Sequence, residues 1–522
     1  MAATTKGYIG IDNGTQGLSI IFTNESLEVL ATGEGSYEMV PNLGEGCYEQ
    51  RVEDWESAMS QAMKQVKDQV TNLEVLSIGL SGQMHGEVLM DEHGKVLGPV
   101  RLWCDARNED EGNELTKLFI SKVPKRMTSA RFLWTIRNRR EIAKQCRHMT
   151  TPAGWMSYRL TGMFSLGIGD ASGMFPVSQD TMDYREDLLE KFDSLIQKDA
   201  TDISPLKSIL PRVCIAGQPA GYLNAVGAKL LGLPEGIPVA PAEGDQPAAL
   251  AGSLIGRAGT VSCSFGTSVF ANSVGDRQFK GVSSAVDHFC AADGKPINMV
   301  WLRNGTTFMN TIVSSYGDVL KADKCGSNRD PFSFIMPELV DAPANCGGLL
   351  ALPFMNDEAG VNVSRGGSAM IIGWYEHNAQ PGNVAKAALM STCFNLKRGS
   401  EVLDEQGYPR LELVLTGGLA KTPECAQILS DIFDTPTILL DNSHEGSAFG
   451  ASLLAKFLHL KLSGKNKEGK DDWAFFLDSV HESGLKKKFV PISQNVKASN
   501  DMYERYKKLL DLVPALTDIM TT

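Results

Sequence analysis

The stretches GYIGIDNGTQGLSIIFTN (7–24) and GTVSCSFGTSVFANS (259–273) decide the fold, because they share one pattern. Each consists of an apolar run, a turn that contains a Gly-Thr pair and a second apolar run, which predicts a β-hairpin with a polar turn. Because one such hairpin opens each half of the chain, we expect a duplicated lobe.

The segments after each hairpin alternate between helix and strand patterns. Residues 53–70 have the apolar spacing of an amphipathic helix, and VLSIGLSGQ (75–83) is typical of a buried strand. The second half repeats this order, with a helical pattern over 383–403 and the buried-strand pattern LELVLTGG at 411–418. The alternation predicts an α/β fold with partly parallel sheets. We expect IGRAG (255–259) to connect the two lobes.

Bulk composition excludes several functional classes. The 522 residues are 43% hydrophobic and 21% charged, which is typical of a globular protein with a large core. The net charge of −12 argues against a nucleic-acid partner but leaves room for a small anion held by backbone N–H groups. Apolar runs stay shorter than the roughly 18 residues that span a membrane, so we expect no membrane partner.

The cysteines and the first residues predict a cytoplasmic location. The ten cysteines are scattered and include no C-x-x-C pair, which is typical of reduced thiols and makes a structural zinc site unexpected. The start, MAATTKGYIGID, has no apolar run of the kind found in secretory signals.

The first turn, IDNGTQG, has the chemistry of a phosphate and metal site. Its glycines free backbone N–H groups to face a phosphate, so we expect Gly14, Thr15 and Gln16 to contact the phosphates of a ligand. Asp12 offers a carboxylate oxygen, which Mg²⁺ prefers. An ordinary polar hairpin turn is the alternative interpretation.

Two motifs of the second half complete the predicted nucleotide site. SFGTS (264–268) repeats the Gly-Thr turn, so Gly266 and Thr267 are expected to grip the phosphates from the other lobe. LTGGLAKTPE (415–424) is a strand that ends in Gly417 and Gly418, where the bare backbone lets a ring or phosphate approach. Lys421 follows in the same segment. An ordinary turn and a tight strand–helix connection are the respective alternatives.

Two polar stretches are candidates for sugar binding. In SGQMHG (81–86), Gln83, Met84 and His85 follow a buried strand, at the sheet edge where α/β proteins place their ligands. In WCDAR (103–107), Trp103 could stack on a sugar and Asp105 could bond its hydroxyls. A loop histidine with its own partner and a salt bridge to Arg107 are the respective alternatives.

Together these stretches resemble the FGGY carbohydrate kinases, and within the family its xylulose-phosphorylating members. Further similar stretches, in the family's order, are YEQRVEDW (48–55), YRLTG (158–162), EGDQPAALAG (243–252) and EGSAFGASLLA (445–455). The resemblance covers about residues 6–460. It implies two ribonuclease-H-like, actin-like ATPase lobes with ATP and Mg²⁺ in the cleft between them.

The resemblance also implies a division of the chain and an activity. Residues 6–256 would form the sugar-binding lobe, 257–460 the nucleotide-binding lobe and 461–522 a helical appendix. The expected reaction moves the γ-phosphate of ATP to a ketose, D-xylulose before others. Ribulose, sedoheptulose or a polyol as substrate, a non-catalytic actin-like or chaperone-type ATPase, and a sugar-binding pseudokinase are the alternatives. A second copy of this chain, forming a homodimer, is a further expected partner.

Asp245, within EGDQPAALAG, is expected to be the catalytic base. A sugar hydroxyl is a poor nucleophile, and a carboxylate within hydrogen-bond reach can take its proton as it attacks the γ-phosphorus. Positioning and charge neutralisation supply the rest of phosphoryl transfer. A carboxylate at a strand-to-helix junction is by itself more typical of a helix N-cap. Because the other motifs are present, we favour the catalytic base over the N-cap.

This sequence departs from the family pattern at several positions, and these departures bear on the identity of the sugar. They are Gln16-Gly17, Ala153-Gly154, Gln246-Pro247, Trp374 and Met390.

Overall fold

The computed structural model describes residues 4–198, 200–322, 330–440, 446–464 and 472–519. Cys325 and Glu445 therefore lie outside the described residues, as do residues 465–471.

Among its described residues, the first half of the chain has fifteen strands and ten α-helices. Its strands are β1 (Thr5–Asn13), β2 (Gly17–Asn24), β3 (Val29–Ser36), β4 (Glu49–Gln50), β5 (Leu73–Gly82), β6 (Val88–Met90), β7 (Val100–Arg101), β8 (His148–Thr150), β9 (Ser165–Gly167), β10 (Val177–Ser178), β11 (Asp183–Tyr184), β12 (Arg212–Cys214), β13 (Gly221–Tyr222), β14 (Pro238–Val239) and β15 (Glu243–Gly244). Its helices are α1 (Val52–Gln69), α2 (Glu109–Phe119), α3 (Thr128–Asn138), α4 (Arg140–Gln145), α5 (Pro152–Thr161), α6 (Ile168–Met174), α7 (Glu186–Gln197), α8 (Leu206–Ile209), α9 (Ala225–Leu231) and α10 (Asp245–Gly252).

The second half continues with strands β16 to β24 and helices α11 to α18. The strands are β16 (Thr260–Phe265), β17 (Val269–Val274), β18 (Val286–Cys290), β19 (Pro296–Leu302), β20 (Leu350–Leu352), β21 (Met370–Ile372), β22 (Glu412–Gly417), β23 (Thr437–Leu440) and β24 (Leu485–Phe489). The helices are α11 (Thr307–Ala322), α12 (Phe332–Asp341), α13 (Pro381–Glu405), α14 (Cys425–Phe433), α15 (Ser447–Leu462), α16 (Trp473–Gly484), α17 (Ser493–Leu510) and α18 (Val513–Ile519). Short 3₁₀ turns cover Cys346–Gly348, Ala359–Val361 and Gly418–Lys421.

Each half is built around one seven-stranded sheet, and the two sheets share one topology. The first sheet runs β13-β14-β5-β1-β2-β3, with β15 also paired to β5; the second runs β18-β19-β17-β16-β22-β23-β24. In both, a hairpin and a third antiparallel strand adjoin two parallel strands. The predicted α/β class and the predicted duplication are therefore confirmed.

The apolar core has three parts. One cluster fills the first lobe and a second fills the other lobe. A third contains residues of both, among them Tyr8, Leu250, Val414 and Leu454. The lobes thus share a buried apolar junction.

Helix α15 comes from the second half but packs on the first sheet, against β5, β1 and β2. Glycine makes this approach close enough: a Cβ atom at Gly10 would lie 1.9 Å from Ala448 O, and one at Gly79 would lie 1.8 Å from Ala451 O. Helix α15 also crosses α10, where a Cβ at Gly450 would lie 1.8 Å from Ala248 O. The two halves are thereby interlocked.

The sequence predicts a helical appendix at 461–522, but this segment also contains a strand. Strand β24 lies within it and pairs antiparallel with β23 at the edge of the second sheet. Its sequence, LKKKF, places three consecutive lysines on the edge strand, and charge of this kind discourages edge-to-edge pairing. Helix α16 packs at the junction, since a Cβ at Gly256 would lie 2.9 Å from Leu477 Cδ1. No helix of the described residues is long and apolar enough to cross a membrane.

The glycine contact of α15 is testable by adding one methyl group. We expect Gly79→Ala to lower the free energy of unfolding by about 1–3 kcal/mol or more, because neither the strand nor the helix backbone can move aside cheaply. Gly44→Ala is the matched control, since its Cβ would meet only Cys47 Sγ at 3.9 Å. The melting temperature is the measurement, and equal values for the two variants would contradict the proposed tight contact.

Candidate active site

Three strands of the first lobe end side by side. In the parallel ladders of β5 with β1 and β15, Gly82 pairs with both Asn13 and Gly244. The turn at 14–16, the loop at 83–86 and the start of α10 therefore meet at one carboxyl edge of the sheet. This is the edge at which open α/β sheets place their ligands.

Asp245 is the first residue of α10, and Gly244 occupies the N-cap position. Its Oδ1 accepts a hydrogen bond from Gln246 N at 2.9 Å, and the N–H of Met84 also stabilises its charged form. Burial and the negative charge of Asp12 nevertheless raise the pKa of Asp245 to about 7. A group that titrates near neutral pH is suited to general-base work.

Asp12 lies near the end of β1, half-buried, and accepts a hydrogen bond from Ser81 Oγ at 2.6 Å. Burial raises its pKa above the usual range, and the bond from Ser81 offsets this in part. Among the described residues, no Lys, Arg or His lies within ion-pair distance of Asp12 or Asp245. Two carboxylates without a protein cation form a donor set that suits Mg²⁺ bridged to a phosphate.

The turn at 14–16 is held from both sides. Gln50 Nε2 donates to Thr15 O at 2.7 Å, and Tyr37 Oη donates to Gly14 O at 2.5 Å. Trp103 Nε1 donates to Thr15 Oγ1 at 2.9 Å, so the hydroxyl proton of Thr15 remains free to meet a phosphate. Trp103 is 43% exposed to solvent, and Gln16 is exposed as well.

Gln83 is fully buried and supports this turn through Gln50. Its Nε2 donates to Gln50 Oε1 at 2.9 Å, and Trp55 Nε1 donates to the same oxygen at 3.1 Å. Gln50 and Trp55 belong to the YEQRVEDW stretch, which resembles the family but for which the sequence predicted no role. A direct contact of Gln83 with sugar stays a prediction.

His85 has a defined tautomer. Its Nδ1 lies 2.9 Å from Gly173 O, and because a carbonyl oxygen only accepts, Nδ1 carries the proton. Burial and the charge of Arg126 lower the pKa of His85 to about 3, so the ring is neutral at physiological pH. Its Nε2 is therefore a hydrogen-bond acceptor, which fits a sugar hydroxyl.

Asp105 is buried with both carboxylate oxygens engaged. Arg107 donates from Nε and Nη2, the shorter bond being 2.6 Å, and Tyr48 N donates at 3.0 Å. Burial alone would raise the pKa of Asp105, but these donors hold it below the usual range. The salt bridge considered above is present, and a sugar contact of Asp105 stays a prediction.

The second lobe presents two glycine-containing turns at its own carboxyl edge. Phe265 pairs with Gly417 in the parallel ladder of β16 and β22, so the Gly266-Thr267 turn and the Gly417-Gly418 turn lie together. All four residues are exposed, as is Lys421. Gly305 N donates to Thr267 O at 3.0 Å and thereby anchors the turn beside α11.

Two contacts connect the lobes near Asp245. Ser447 Oγ, at the start of α15, donates to Asp245 O at 3.1 Å. On another side, Cys290 N of β18 donates to Ser172 Oγ of α6 at 2.9 Å. The main chain at Asp245 is thus bonded by an element of the second half.

Two buried acids beside Asp245 were not found from the sequence. Glu243 Oε2 accepts from Asp170 N at 3.0 Å, and Thr151 Oγ1 donates to Asp170 Oδ2 at 2.5 Å. Burial raises the pKa of Asp170 to about 8, and it also raises the pKa of Glu243 well above its usual range. Asp170 is separated from Asp245 by 75 positions, so local sequence carried no signal of the contact.

Family models match most of the chain. The N-terminal domain model of the FGGY family of carbohydrate kinases matches residues 7–252, and the C-terminal domain model matches residues 261–458. The chain belongs to the FGGY family of carbohydrate kinases. Its two lobes accordingly have the actin-like ATPase fold that the resemblance implied.

Curated relatives of this kinase match over most of its length. Xylulose kinase of Haemophilus influenzae is 24% identical over 517 residues, covering 96% of this chain and 98% of the relative. Xylulose kinase of Escherichia coli is 27% identical over 461 residues, covering 86% of this chain and 89% of the relative.

Solved structures confirm the fold. The xylulose kinase of Rhodospirillum rubrum has a TM-score of 0.78 at 19% identity, covering 97% of this chain and 99% of the other. The gluconate kinase of Lactobacillus acidophilus has a TM-score of 0.79 at 17% identity, covering 98% and 99%. Kinases named for two different substrates thus fit equally well, so the backbone leaves the sugar open.

The raised pKa of Asp245 predicts that its charge destabilises the folded kinase. The folded state binds this proton up to about pH 7, whereas the unfolded chain releases it near pH 4, so the penalty grows between these values and is complete above pH 7. We expect the melting temperature of Asp245→Asn, relative to the parent, to rise as pH increases from 4 to 8.

The exposed Asp501→Asn is the control and should track the parent at every pH. A difference between Asp245→Asn and the parent that does not change with pH would contradict the shifted pKa. Differential scanning fluorimetry across the pH series is sufficient.

Proposed function

We propose that this protein transfers the γ-phosphate of ATP to the terminal hydroxyl of D-xylulose, forming D-xylulose 5-phosphate and ADP. Its membership of a carbohydrate-kinase family and its xylulose kinase relatives support this substrate. The observation that carries the proposal is the half-buried Asp245 beside Asp12, at the edge where three strands end.

In the proposed reaction, Asp245 takes the proton of the sugar hydroxyl. The hydroxyl oxygen forms a bond to the γ-phosphorus, the bond from that phosphorus to the β–γ bridging oxygen breaks, and ADP leaves. Mg²⁺, when bound, would neutralise charge on the phosphates, and the carboxylate of Asp12 would hold it.

The remaining predicted residues take supporting roles. Gly14, Thr15 and Gln16 would contact phosphates from the first lobe, and Gly266 and Thr267 from the second. Gly417, Gly418 and Lys421 would border the nucleotide. The sugar side would consist of Gln83, Met84, His85, Trp103 and Asp105, with Nε2 of His85 accepting from a hydroxyl.

The division of the chain and its location are part of the proposal. The sugar-binding lobe would comprise residues 6–256, the nucleotide-binding lobe 257–460 and the appendix 461–522. A reducing compartment such as the cytoplasm is supported by the nine described cysteines, all of which are free thiols.

A coupled ADP-release assay over ketoses, aldoses and polyols tests the function. We expect D-xylulose to give the highest kcat/KM. Ribulose, sedoheptulose or a polyol in first place would keep the kinase and replace the sugar. ADP release that no sugar stimulates would favour the non-catalytic ATPase instead.

Substituting Asp245 tests the base. We expect Asp245→Asn to lower kcat by on the order of 10² or more while changing sugar affinity far less, because the amide keeps the size and removes the proton acceptor. Steady-state kinetics at pH 8 with D-xylulose measure this. A variant with near-normal turnover would remove Asp245 from the mechanism.

Substituting Asp12 tests the metal site. Asp12→Ala should increase the Mg²⁺ concentration needed for half-maximal activity and lower kcat, because a carboxylate ligand of the ion is lost. Activity is titrated with Mg²⁺ at fixed ATP and sugar, with Asp501→Asn again as the control. Overlapping titration curves for Asp12→Ala and the parent would make Asp12 a turn residue only.

A further inference from the structure

We propose that Arg131 is a positioning residue for sugar recognition, which holds the two loops that carry the predicted sugar contacts in one arrangement. We call residues 83–86 and 102–108 the sugar-recognition loops. The inference rests on the proposed function, because it assigns these loops to the sugar.

Arg131 lies on α3, beneath both loops, and its side chain is fully buried. Its Nε donates to His85 O at 3.2 Å, Nη2 donates to Trp103 O at 2.6 Å, and Nη1 donates to Asp105 O at 3.1 Å. One planar group thus bonds the main chain at three of the residues predicted to contact the sugar. A further bond runs from Nη1 to Asn108 Oδ1 at 3.2 Å.

The partners of Arg131 are neutral, which is unusual for a buried charge. Among the described residues, no carboxylate lies within ion-pair distance of Arg131. Burial and the neighbouring charge of Arg101 lower the pKa of Arg131 to about 9. Buried cations are normally paired with an acid, as Arg101 is with Glu87 and Asp105. We infer that Arg131 is placed for its hydrogen-bond geometry.

The main chain at His85 needs such support. His85 has φ of 67°, a left-handed conformation that non-glycine residues adopt rarely. Its carbonyl accepts from Arg131 and also from Thr128 Oγ1, at 3.1 Å, in the first turn of α3. Because α6 holds the ring through Gly173 O, helix α3 sets the backbone and α6 the ring. Together they direct Nε2 of His85.

Lysine is expected to fail at this position. Its ammonium is a compact charge with one nitrogen atom, whereas the guanidinium presents its donors in a rigid fork. The Lys side chain is long enough to enter the site but lacks the fork that reaches three separate carbonyls. Arg131→Lys therefore tests whether the fork is needed.

The experiment compares Michaelis constants for sugar and for ATP. We expect Arg131→Lys to raise KM for D-xylulose by about tenfold or more, since small misplacements of binding groups are costly, and to leave KM for ATP within about twofold. Arg137→Lys is the matched control on the same helix, because Arg137 is itself exposed and pairs with Glu111 and with the surface acid Glu114. The control should match the parent in both constants.

A double-mutant cycle separates positioning from general destabilisation. If Arg131 acts through His85, Arg131→Lys should add little to the sugar KM of His85→Ala. An additive cycle, an unchanged sugar KM, or equal increases in both Michaelis constants would overturn the proposal. Thr128→Val provides a second variant if Arg131→Lys does not fold, and it should give a smaller rise in sugar KM with KM for ATP unchanged.

Calorimetric titration of D-xylulose, without nucleotide, distinguishes failure of this inference from failure of the function. If the parent binds and phosphorylates D-xylulose and Arg131→Lys binds it equally well, only the role of Arg131 is contradicted. A parent that binds D-xylulose without phosphorylating it would sink the kinase reaction, and weaker binding to Arg131→Lys would still support positioning. A parent that does not bind D-xylulose would overturn both.

Discussion

The position of Asp245 depends on the close crossing of α10 and α15, which the small residues of both helices permit. A Cβ atom at Gly450 would lie 1.8 Å from Ala248 O, and one at Gly252 would lie 2.4 Å from Gly446 O. Helix α10 follows the strands of the first sheet along the chain, and α15 follows β23 of the second sheet. Residues of both helices lie in the apolar cluster that the two lobes share. Asp245 begins one of the two helices and is therefore fixed relative to both lobes.

The same placement sets two opposing effects on the charge of Asp245. The positive end of α10 favours the carboxylate, but a helix terminus contributes at most about 2 kcal/mol, which is roughly 1.5 pKa units. Burial and the charge of Asp12 act in the other direction and raise the pKa of Asp245 from 3.8 to about 7. Burial and like charge therefore dominate, and the result is a carboxylate that can accept and release a proton near neutral pH.

The sequence predicted the fold class and the strand ends that form the site, because both follow from local patterns. Apolar runs and Gly-Thr turns reveal the hairpins, and parallel strands bring their carboxyl ends to one edge. Side-chain direction after a strand end depends on distant partners, so the inward turn of Gln83 toward Gln50 could not be predicted. The same holds for the bond between Trp103 and Thr15, which are 88 positions apart.

The docking of α15 on the first sheet was missed for a related reason. An Ala- and Gly-rich helix shows that some backbone comes close, but its sequence does not say which one. Strand β24 was missed because three lysines in LKKKF hide the strand pattern of an edge. In both cases the local residues are compatible with several surroundings, and only the assembled sheets select one.

The two lobes share a topology but divide the chemistry, and the hairpins show why. In the matching hairpins, Asp12 two residues before Gly14 corresponds to Ser264 two residues before Gly266. The phosphates of a nucleotide are already negative, so a carboxylate in each lobe would add repulsion from both sides. With the carboxylate of the hairpin confined to the first lobe, the proposed reaction would handle the cation and the hydroxyl proton on one side of the phosphate. The hairpin turn of the second lobe would then offer the phosphates backbone N–H groups and a hydroxyl, without a negative charge.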